Sequence, residues 1–107
     1  MAEEREDRLR TQAVPGMAMP FSPEAEQSVL GAILLDASCL DQVMEILPRS
    51  AYFYQVNNGL IYEAMLELFA LGRPVDFITV LERLKENENF DESSGKVYLM
   101  QLAQLVP

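Results

Sequence analysis

The pair Gly95-Lys96 is the one place in the sequence where a phosphate-binding loop could end. Such a loop runs from a glycine through four residues to Gly-Lys-Ser/Thr, because its backbone N–H groups cradle phosphates that the lysine then contacts. Phe90 occupies the position of the first glycine, and Val97 follows the lysine. The sequence therefore predicts no ATP hydrolysis of this kind and no cofactor bound by this chain.

Metal and nucleophile chemistry is restricted because the chain has no histidine and a single cysteine, Cys39. One thiol cannot form an internal disulfide, and zinc sites and Cys-His or Ser-His nucleophiles need side chains that are missing here. Cys39 could be a reactive thiol at a helix N-terminus, but a small, buried apolar side chain is the favoured interpretation. We expect no metal site and a reducing, cytoplasmic environment.

Paired carboxylates, such as Asp36 with Asp41 and Glu82 with Glu86, are the remaining candidates for acid–base chemistry. That chemistry requires surroundings that shift a pKa, whereas carboxylates on an acidic helical protein usually face solvent. The stretch after Asp36 also lacks the alternating oxygen ligands and the closing glutamate of a calcium loop. We therefore predict no catalytic residues and no enzyme activity within this chain.

The aromatic run Tyr52-Phe53-Tyr54 could stack on bases, as in proteins that bind single-stranded nucleic acid. No lysine or arginine is interleaved with it, so we favour packing on the core with one tyrosine hydroxyl at the surface. The whole chain carries 17 acidic and 8 basic residues, for a net charge of -9. Because DNA is bound mainly by neutralising its phosphates, we expect no direct nucleic-acid binding and favour basic or apolar protein partners.

Residues 1–20 are predicted to form a flexible arm. Their charges are mixed in sign, and Pro15, Gly16 and Pro20 oppose regular structure. The first residues contain no apolar segment of the kind found in a secretory signal. The longest apolar stretch, 29–35, is far shorter than the roughly 20 residues of a membrane helix, so we expect no membrane association.

From residue 21 onward, apolar residues recur at helical spacing, while the alternation typical of strands is missing. Ser22, Asn58 and Asp76 stand where their side chains would cap the first, third and fourth helices. Gly31, inside the first helix, indicates close approach of a neighbouring backbone. The predicted fold is all-α, a small compact orthogonal bundle of about five to six helices. Its expected core consists of Val29, Ile33, Leu40, Val43, Leu47, Ile61, Met65, Leu68, Leu81, Leu84, Leu99 and Leu102.

The helix boundaries follow from residues that stop or start helices. Pro48 ends a short second helix, and Gly72 terminates the third. The segment 51–56 is expected to be a loop or short helix packed on the core. A polar loop is expected over 87–95, and the last helix over about 96–105.

The run from Ser22 to Asp36, SPEAEQSVLGAILLD, opens a series of local features in a distinctive order. The later features in this series are Phe53-Tyr54, Ile61-Tyr62, Gly72 to Asp76, Ile78 to Val80, Tyr98-Leu99 and Leu102-Ala103. In order and approximate spacing, the series resembles the N-terminal domain of DnaB-type replicative DNA helicases. The resemblance covers about residues 20–107.

Two positions depart from the pattern of that family. The family often carries histidine near position 58, where this chain has Asn58, and asparagine is an equally good helix cap. The family often has two glycines before the last helix, where this chain has Ser94-Gly95 and so keeps one of them. Neither change is expected to alter the fold.

The resemblance implies a role rather than a reaction for residues 21–107. The parent protein would be a ring-shaped hexamer that unwinds DNA at the replication fork. Its ATP and magnesium would bind to a RecA-like motor, which a helical hairpin and a linker join to this domain. The N-terminal domains would form a collar that helps to assemble the ring and docks primase and, in some cases, loader proteins. The resemblance identifies no partner-contact residue.

Two other functions share the acidic, helical character of the chain. A stand-alone adaptor or dimerisation module without a motor would show every feature above, and only downstream sequence distinguishes it. An acyl carrier protein would need a serine directly after an aspartate at a helix start, but Ser38 follows Ala37. The helicase domain is therefore the main hypothesis, and the adaptor is the alternative.

Overall fold

The computed structural model describes residues 22–105. This part of the chain contains helices and no strand, which confirms the all-α prediction. The predicted arm, 1–20, lies outside the described residues. In chain order the helices are α1 (Pro23–Leu35), α2 (Leu40–Ile46), α3 (Val56–Ala70), α4 (Phe77–Leu84) and α5 (Glu92–Ala103), with short 3-10 turns at Ala37–Cys39 and Ser50–Tyr52.

Helix α1 begins at the predicted cap. The Ser22 Oγ accepts a hydrogen bond from the backbone N–H of Ala25 at 3.2 Å, and Pro23 occupies the first position, where no N–H is needed. The helix stops at Asp36, which is extended and caps the following turn by accepting hydrogen bonds from Ser38. These bonds, from the Ser38 hydroxyl and backbone N–H, hold the pKa of Asp36 below its ordinary value.

Helix α3 begins at Val56, and the prediction that Asn58 caps it is wrong. Gln55 is the N-cap residue and makes no side-chain capping bond. Asn58 is the third residue of the helix and is buried. Its side chain turns inward because two other helices supply hydrogen-bond partners for the amide.

The C-terminal end of α3 follows the glycine signal. Gly72 has a φ of 70°, in the left-handed region that a Cβ disfavours. Its backbone N–H donates to the Phe69 carbonyl at 3.0 Å, and that of Arg73 donates to the Leu68 carbonyl at 3.0 Å. This pair of bonds is a Schellman motif, which satisfies carbonyls that the end of the helix would otherwise leave without donors.

Helix α4 begins with reciprocal hydrogen bonds between Asp76 and Thr79. The Asp76 carboxylate accepts from the Thr79 N–H at 2.9 Å, and the Thr79 hydroxyl accepts from the Asp76 N–H at 2.9 Å. This capping box lies where the sequence places the cap. The helix then packs on α3, where Arg83 Nε donates to Glu67 Oε1 at 2.9 Å.

Helix α5 begins at Glu92, earlier than the predicted start near residue 96, so the predicted loop over 87–95 is too long. Asp91 is the cap. Its carboxylate accepts from the Ser94 hydroxyl at 2.9 Å and from the hydroxyl and backbone N–H of Ser93 at 3.1 and 3.3 Å. These bonds, with that from the Ser94 hydroxyl the largest contribution, hold the pKa of Asp91 below its ordinary value.

The core lies where α3 packs on α1 and α4 and where α5 packs on the same two helices. Three predicted core residues, Val29, Val43 and Leu47, are only half-buried and pack against the edge of this core. Of the residues in α2, only Leu40 is buried, so this helix lies at the edge of the core. The other predicted residues are buried, namely Ile33, Leu40, Ile61, Met65, Leu68, Leu81, Leu84, Leu99 and Leu102, and the core also includes Leu30, Tyr62 and Val80.

Gly31 lies where α1 packs against α5, which agrees with the predicted close approach of a backbone. A Cβ at this position would lie 2.8 Å from the Leu102 carbonyl oxygen and 3.3 Å from the Leu105 Cβ. A backbone oxygen cannot move aside unless α5 moves with it. The glycine therefore sets the spacing between the first and last helices.

Candidate functional site

A partly buried polar cluster joins α1, α3 and α5 through the side chains of Glu26, Asn58 and Tyr98, which we call the helix clamp. Asn58 is 1% exposed. Its Nδ2 donates to Glu26 Oε1 at 2.8 Å, and its Oδ1 accepts from the Tyr98 hydroxyl at 2.5 Å. An amide carries both a donor and an acceptor, so one side chain links a carboxylate on one helix to a phenol on another.

Glu26 also binds the backbone just ahead of α3. Its carboxylate accepts from the N–H of Tyr54 at 2.6 Å and from the N–H of Gln55 at 3.4 Å. The negative charge therefore lies near the N-terminus of α3, where the helix dipole is positive. The carboxylate bonds N–H groups of the two residues before Val56 and not those of the first turn, so it anchors the start of α3 to α1 without replacing a capping side chain.

A second polar contact holds the end of α2 against α3. Tyr62 is fully buried, and its hydroxyl donates to the Leu47 carbonyl oxygen at 2.5 Å. The Tyr62 ring packs beside Phe53, with 4.8 Å between the ring centroids. Burial raises the pKa of the Tyr62 phenol, because the charged phenolate would lose its hydration.

The chemistry available to the helix clamp is hydrogen bonding. Each of its side chains is engaged by a partner on another helix or on the segment before α3. Within residues 22–105, no group of three His, Cys, Asp or Glu side chains is placed to hold a metal ion. No helix in the same part of the chain is long and apolar enough to cross a membrane. The hydrogen bonds of the clamp therefore hold α1 and α5 on α3.

Sequence reasoning missed the helix clamp because its members are far apart in the chain. Asn58 lies 32 residues from Glu26 and 40 residues from Tyr98, so no local pattern connects them. The predicted caps Ser22 and Asp76, by contrast, bond only within their own helices. The one available signal is Asn58 itself, because an asparagine that is buried on a helix needs polar partners elsewhere in the fold.

The aromatic run before α3 packs differently from the prediction. Phe53 is buried, but Tyr52 and Tyr54 are 52% and 72% exposed, so both tyrosines lie largely outside the core. Phe53 is extended, and neighbouring side chains in an extended segment point to opposite sides. The Arg49 guanidinium carbon lies 5.6 Å from the centroid of the Tyr52 ring. Cys39 is half-buried and packs against the core as a free thiol.

The arrangement of five helices around the clamp can be compared with known families. A model of the DnaB-like helicase N-terminal domain matches residues 18–107, which include every helix described above. This chain belongs to that family. The DnaB-like assignment made from the order of sequence features is thereby confirmed.

Relatives of this DnaB-like domain are replicative helicases. Replicative DNA helicase DnaB of Geobacillus stearothermophilus is 44% identical over 89 residues, which cover 82% of this chain and 19% of that protein. Replicative DNA helicase DnaB of Treponema pallidum is 38% identical over 97 residues, which cover 91% of this chain and 22% of that protein. The chain thus spans about a fifth of the length of these curated relatives.

A solved structure gives the same picture of the fold. The crystal structure of the N-terminal domain of DnaB helicase from Mycobacterium tuberculosis is similar, with a TM-score of 0.75 and 36% sequence identity. The match covers 82% of this chain and 60% of that chain. The five-helix architecture is therefore the fold of a DnaB N-terminal domain.

Proposed function

We propose that this domain is part of the collar of a hexameric replicative DNA helicase, where it helps to assemble the ring and docks primase or a helicase loader. The observation that carries the proposal is the family match over residues 18–107, together with relatives named as replicative DNA helicases. In this proposal the parent protein works in the cytoplasm. It unwinds DNA with ATP and magnesium bound in a separate motor domain.

The helix clamp supports a scaffold role for the domain. Glu26, Asn58 and Tyr98 fix α1 and α5 on α3, so the outer faces of these helices keep a constant geometry. A surface that is already ordered loses less conformational freedom when a partner binds. A docking and assembly module needs a preorganised surface of this kind.

The direct test uses the complete protein that contains this chain and a variant of it that lacks residues 22–105. We expect the complete protein to form hexamers in native mass spectrometry and to unwind a forked duplex only with ATP and magnesium. It should also bind its cognate primase in calorimetry, and the shortened variant should lose that binding. A complete protein that is not hexameric and has no ATPase activity overturns the proposal and favours a stand-alone adaptor.

The acidic charge supports a collar that does not hold the DNA strands passing near it. With a net charge of -9, the chain should be repelled by phosphates. A gel shift of the chain with labelled single-stranded and forked DNA, at low salt where phosphate contacts are strongest, should show no complex. Tight binding in that experiment contradicts this part of the proposal.

A further inference from the structure

Asn58 is followed by Gly59, and this is the one Asn-Gly pair in the sequence. An asparagine before glycine is chemically labile, because glycine has no side chain to obstruct its own backbone nitrogen when that nitrogen approaches the asparagine amide. The Gly59 nitrogen attacks the Asn58 Cγ, and the side-chain nitrogen leaves as ammonia with the proton of the Gly59 N–H. Water then opens the cyclic succinimide and restores that N–H, which gives aspartate or isoaspartate.

Helix α3 holds the nucleophile of this reaction. The Gly59 N–H donates to the Gln55 carbonyl at 3.0 Å, so its proton is engaged by the helix. Asn58 itself is helical. Closure of the succinimide ring needs rotation about the Cα–C bond of Asn58, away from the helical ψ of about −42°. Such a rotation moves the Gly59 nitrogen out of the helix, so an intact α3 opposes the attack.

The helix clamp holds the electrophile. The Asn58 Nδ2 donates to Glu26 Oε1 at 2.8 Å, and the Asn58 Oδ1 accepts from the Tyr98 hydroxyl at 2.5 Å. These bonds fix the amide between α1 and α5, and turning it towards the Gly59 nitrogen would break them. The side chain is also 1% exposed, so little water reaches it. Both reacting groups are therefore restrained by contacts that exist only in the folded domain.

We propose that Asn58 is a spontaneous deamidation site, which the folded domain protects and which becomes reactive when α3 and the helix clamp open. The local backbone of α3 restrains the Gly59 nitrogen, while residues 32 and 40 positions away restrain the amide. Opening of both is needed for reaction. The proposal does not depend on the collar function, because it concerns only the folding of this domain.

Deamidation would remove the link between the helix clamp and α1. An aspartate at position 58 keeps an oxygen that accepts from Tyr98, but a second oxygen replaces the Nδ2 that donates to Glu26. Two carboxylates would then face each other where an amide and a carboxylate now lie 2.8 Å apart. Isoaspartate would also add a carbon to the backbone of α3. A chain that deamidates while it is open therefore refolds to a less stable domain.

The first test compares the folded chain with the chain unfolded in guanidinium chloride, both at mildly alkaline pH in water enriched in heavy oxygen. Hydrolysis of the succinimide places that oxygen on the new carboxyl group, so peptide mass spectrometry identifies deamidation that occurred at Asn58 during the incubation. We expect the folded chain to react at least about a hundredfold more slowly, because reaction must wait for rare opening. Similar rates in the two states overturn the proposal.

The matched control for the unfolded state is Gly59→Ala. Its Cβ obstructs the nucleophilic nitrogen, whereas the folded helix has room for it, with the nearest contact at 3.4 Å. The unfolded variant should therefore deamidate at Asn58 much more slowly than the unfolded wild type. Equal rates in these two unfolded chains would show that the Gly59 nitrogen is not the nucleophile.

The second test asks whether the helix clamp itself protects the amide. Tyr98→Phe and Tyr62→Phe each remove a hydroxyl that donates to an oxygen at 2.5 Å, but only the Tyr98 hydroxyl contacts Asn58. We compare the two variants at guanidinium concentrations that give each the same unfolded fraction. Tyr98→Phe should then deamidate several-fold faster, because its amide is also released by local opening. Equal rates contradict protection by the clamp.

The third test uses Asn58→Asp, which reproduces one product of the reaction. Its urea midpoint should lie below that of the wild type. Adding Glu26→Gln should recover part of the loss, since a glutamine amide can donate to the new carboxylate and its oxygen can still accept from the backbone. The double variant also decides the case in which Asn58→Asp alone does not fold. A wild-type midpoint for Asn58→Asp, or no recovery in the double variant, overturns the predicted damage to the clamp.

Discussion

Asn58 lies between a carboxylate and a phenol, and only a group that both donates and accepts a hydrogen bond satisfies the two neighbours. At the scale of single residues, the hydrogen bonds of this amide to Glu26 and Tyr98 contribute more to the fold than the helix cap that the sequence predicted. An asparagine amide can cap a helix at the surface, but in this protein it joins three helices in the interior. Its partners decide which of the two roles it plays.

Replacing Asn58 with leucine should destabilise the domain by about 2–3 kcal/mol, because the Tyr98 hydroxyl would lose its acceptor and Glu26 Oε1 would lose one of its donors. Asn58→His should cost clearly less, because a neutral imidazole can donate to the carboxylate and accept from the phenol. Urea unfolding at neutral pH measures both variants. Equal losses for the two would show that shape, and not hydrogen bonding, governs this position.

Residues whose partners are local are the ones that the sequence predicts. Ser22 and Asp76 bond to backbone groups three residues away, so their types and positions are enough to identify them as caps. Asn58 has the same cap-forming chemistry, but its partners lie 32 and 40 residues away. Local chemistry cannot choose between a nearby and a distant partner, which is why the cap was predicted and the clamp was not.

At the scale of helices, Gly31 and Gly59 form a matched pair for testing the contact between α1 and α5. Gly31→Ala should destabilise the domain by about 1–3 kcal/mol, because its Cβ would lie 2.8 Å from a backbone oxygen. Gly59→Ala should be neutral or stabilising by up to about 1 kcal/mol, since its nearest contact would be 3.4 Å and alanine favours helices. Thermal and urea unfolding measure both. A neutral Gly31→Ala contradicts the close packing of the two helices.

The start of α5 should make stability depend on acid pH through Asp91. Its folded pKa is lowered by the Ser94 and Ser93 hydrogen bonds, so folding favours the ionised carboxylate. The resulting stability is present above the ordinary aspartate pKa of 3.8 and is lost as pH falls through the lower folded value. Asp91→Asn should therefore flatten the fall in Tm between about pH 4 and pH 2. An unchanged acid profile counts against this contribution from Asp91.

The early start of α5 shows what apolar spacing leaves out. The first turn of this helix is polar, and its first apolar side chain is Val97. A prediction that follows the apolar face therefore begins the helix too late. Asp91, followed by Glu92 and Ser93, is typical of a helix N-terminus. A prediction based on polarity alone assigns these residues to a loop.

At the scale of the whole molecule, the net charge of -9 should lower stability through self-repulsion. Raising the salt concentration from about 20 mM to 500 mM should increase Tm by a few degrees, because screening shortens the range of repulsion. The increase should be smaller in the Glu45→Gln/Glu82→Gln variant, which carries less charge. A Tm that falls with salt would show that ion pairs such as Arg83 with Glu67 outweigh the repulsion.

The class of the fold was predictable from the sequence, whereas the contacts between its helices were not. Helical spacing predicts about five to six helices and most of their inward residues, because burial on a helix has a local period. No local pattern indicates that α1 packs on α5 or that Asn58 bonds to Tyr98. Gly31 is the exception, since an interior glycine indicates close approach even before the neighbouring helix is known.

The contact between Gly31 and Leu102 has a consequence for biosynthesis. A ribosome makes the chain from its N-terminus, so α1 emerges well before α5 exists. At about 5–20 residues per second, α1 waits on the order of several seconds for the helix that covers it. During that interval its apolar face is open to chaperones and to other nascent chains. The last turn of α5 therefore completes the folding of this domain, and the apolar face of α1 is buried only after that turn has been made.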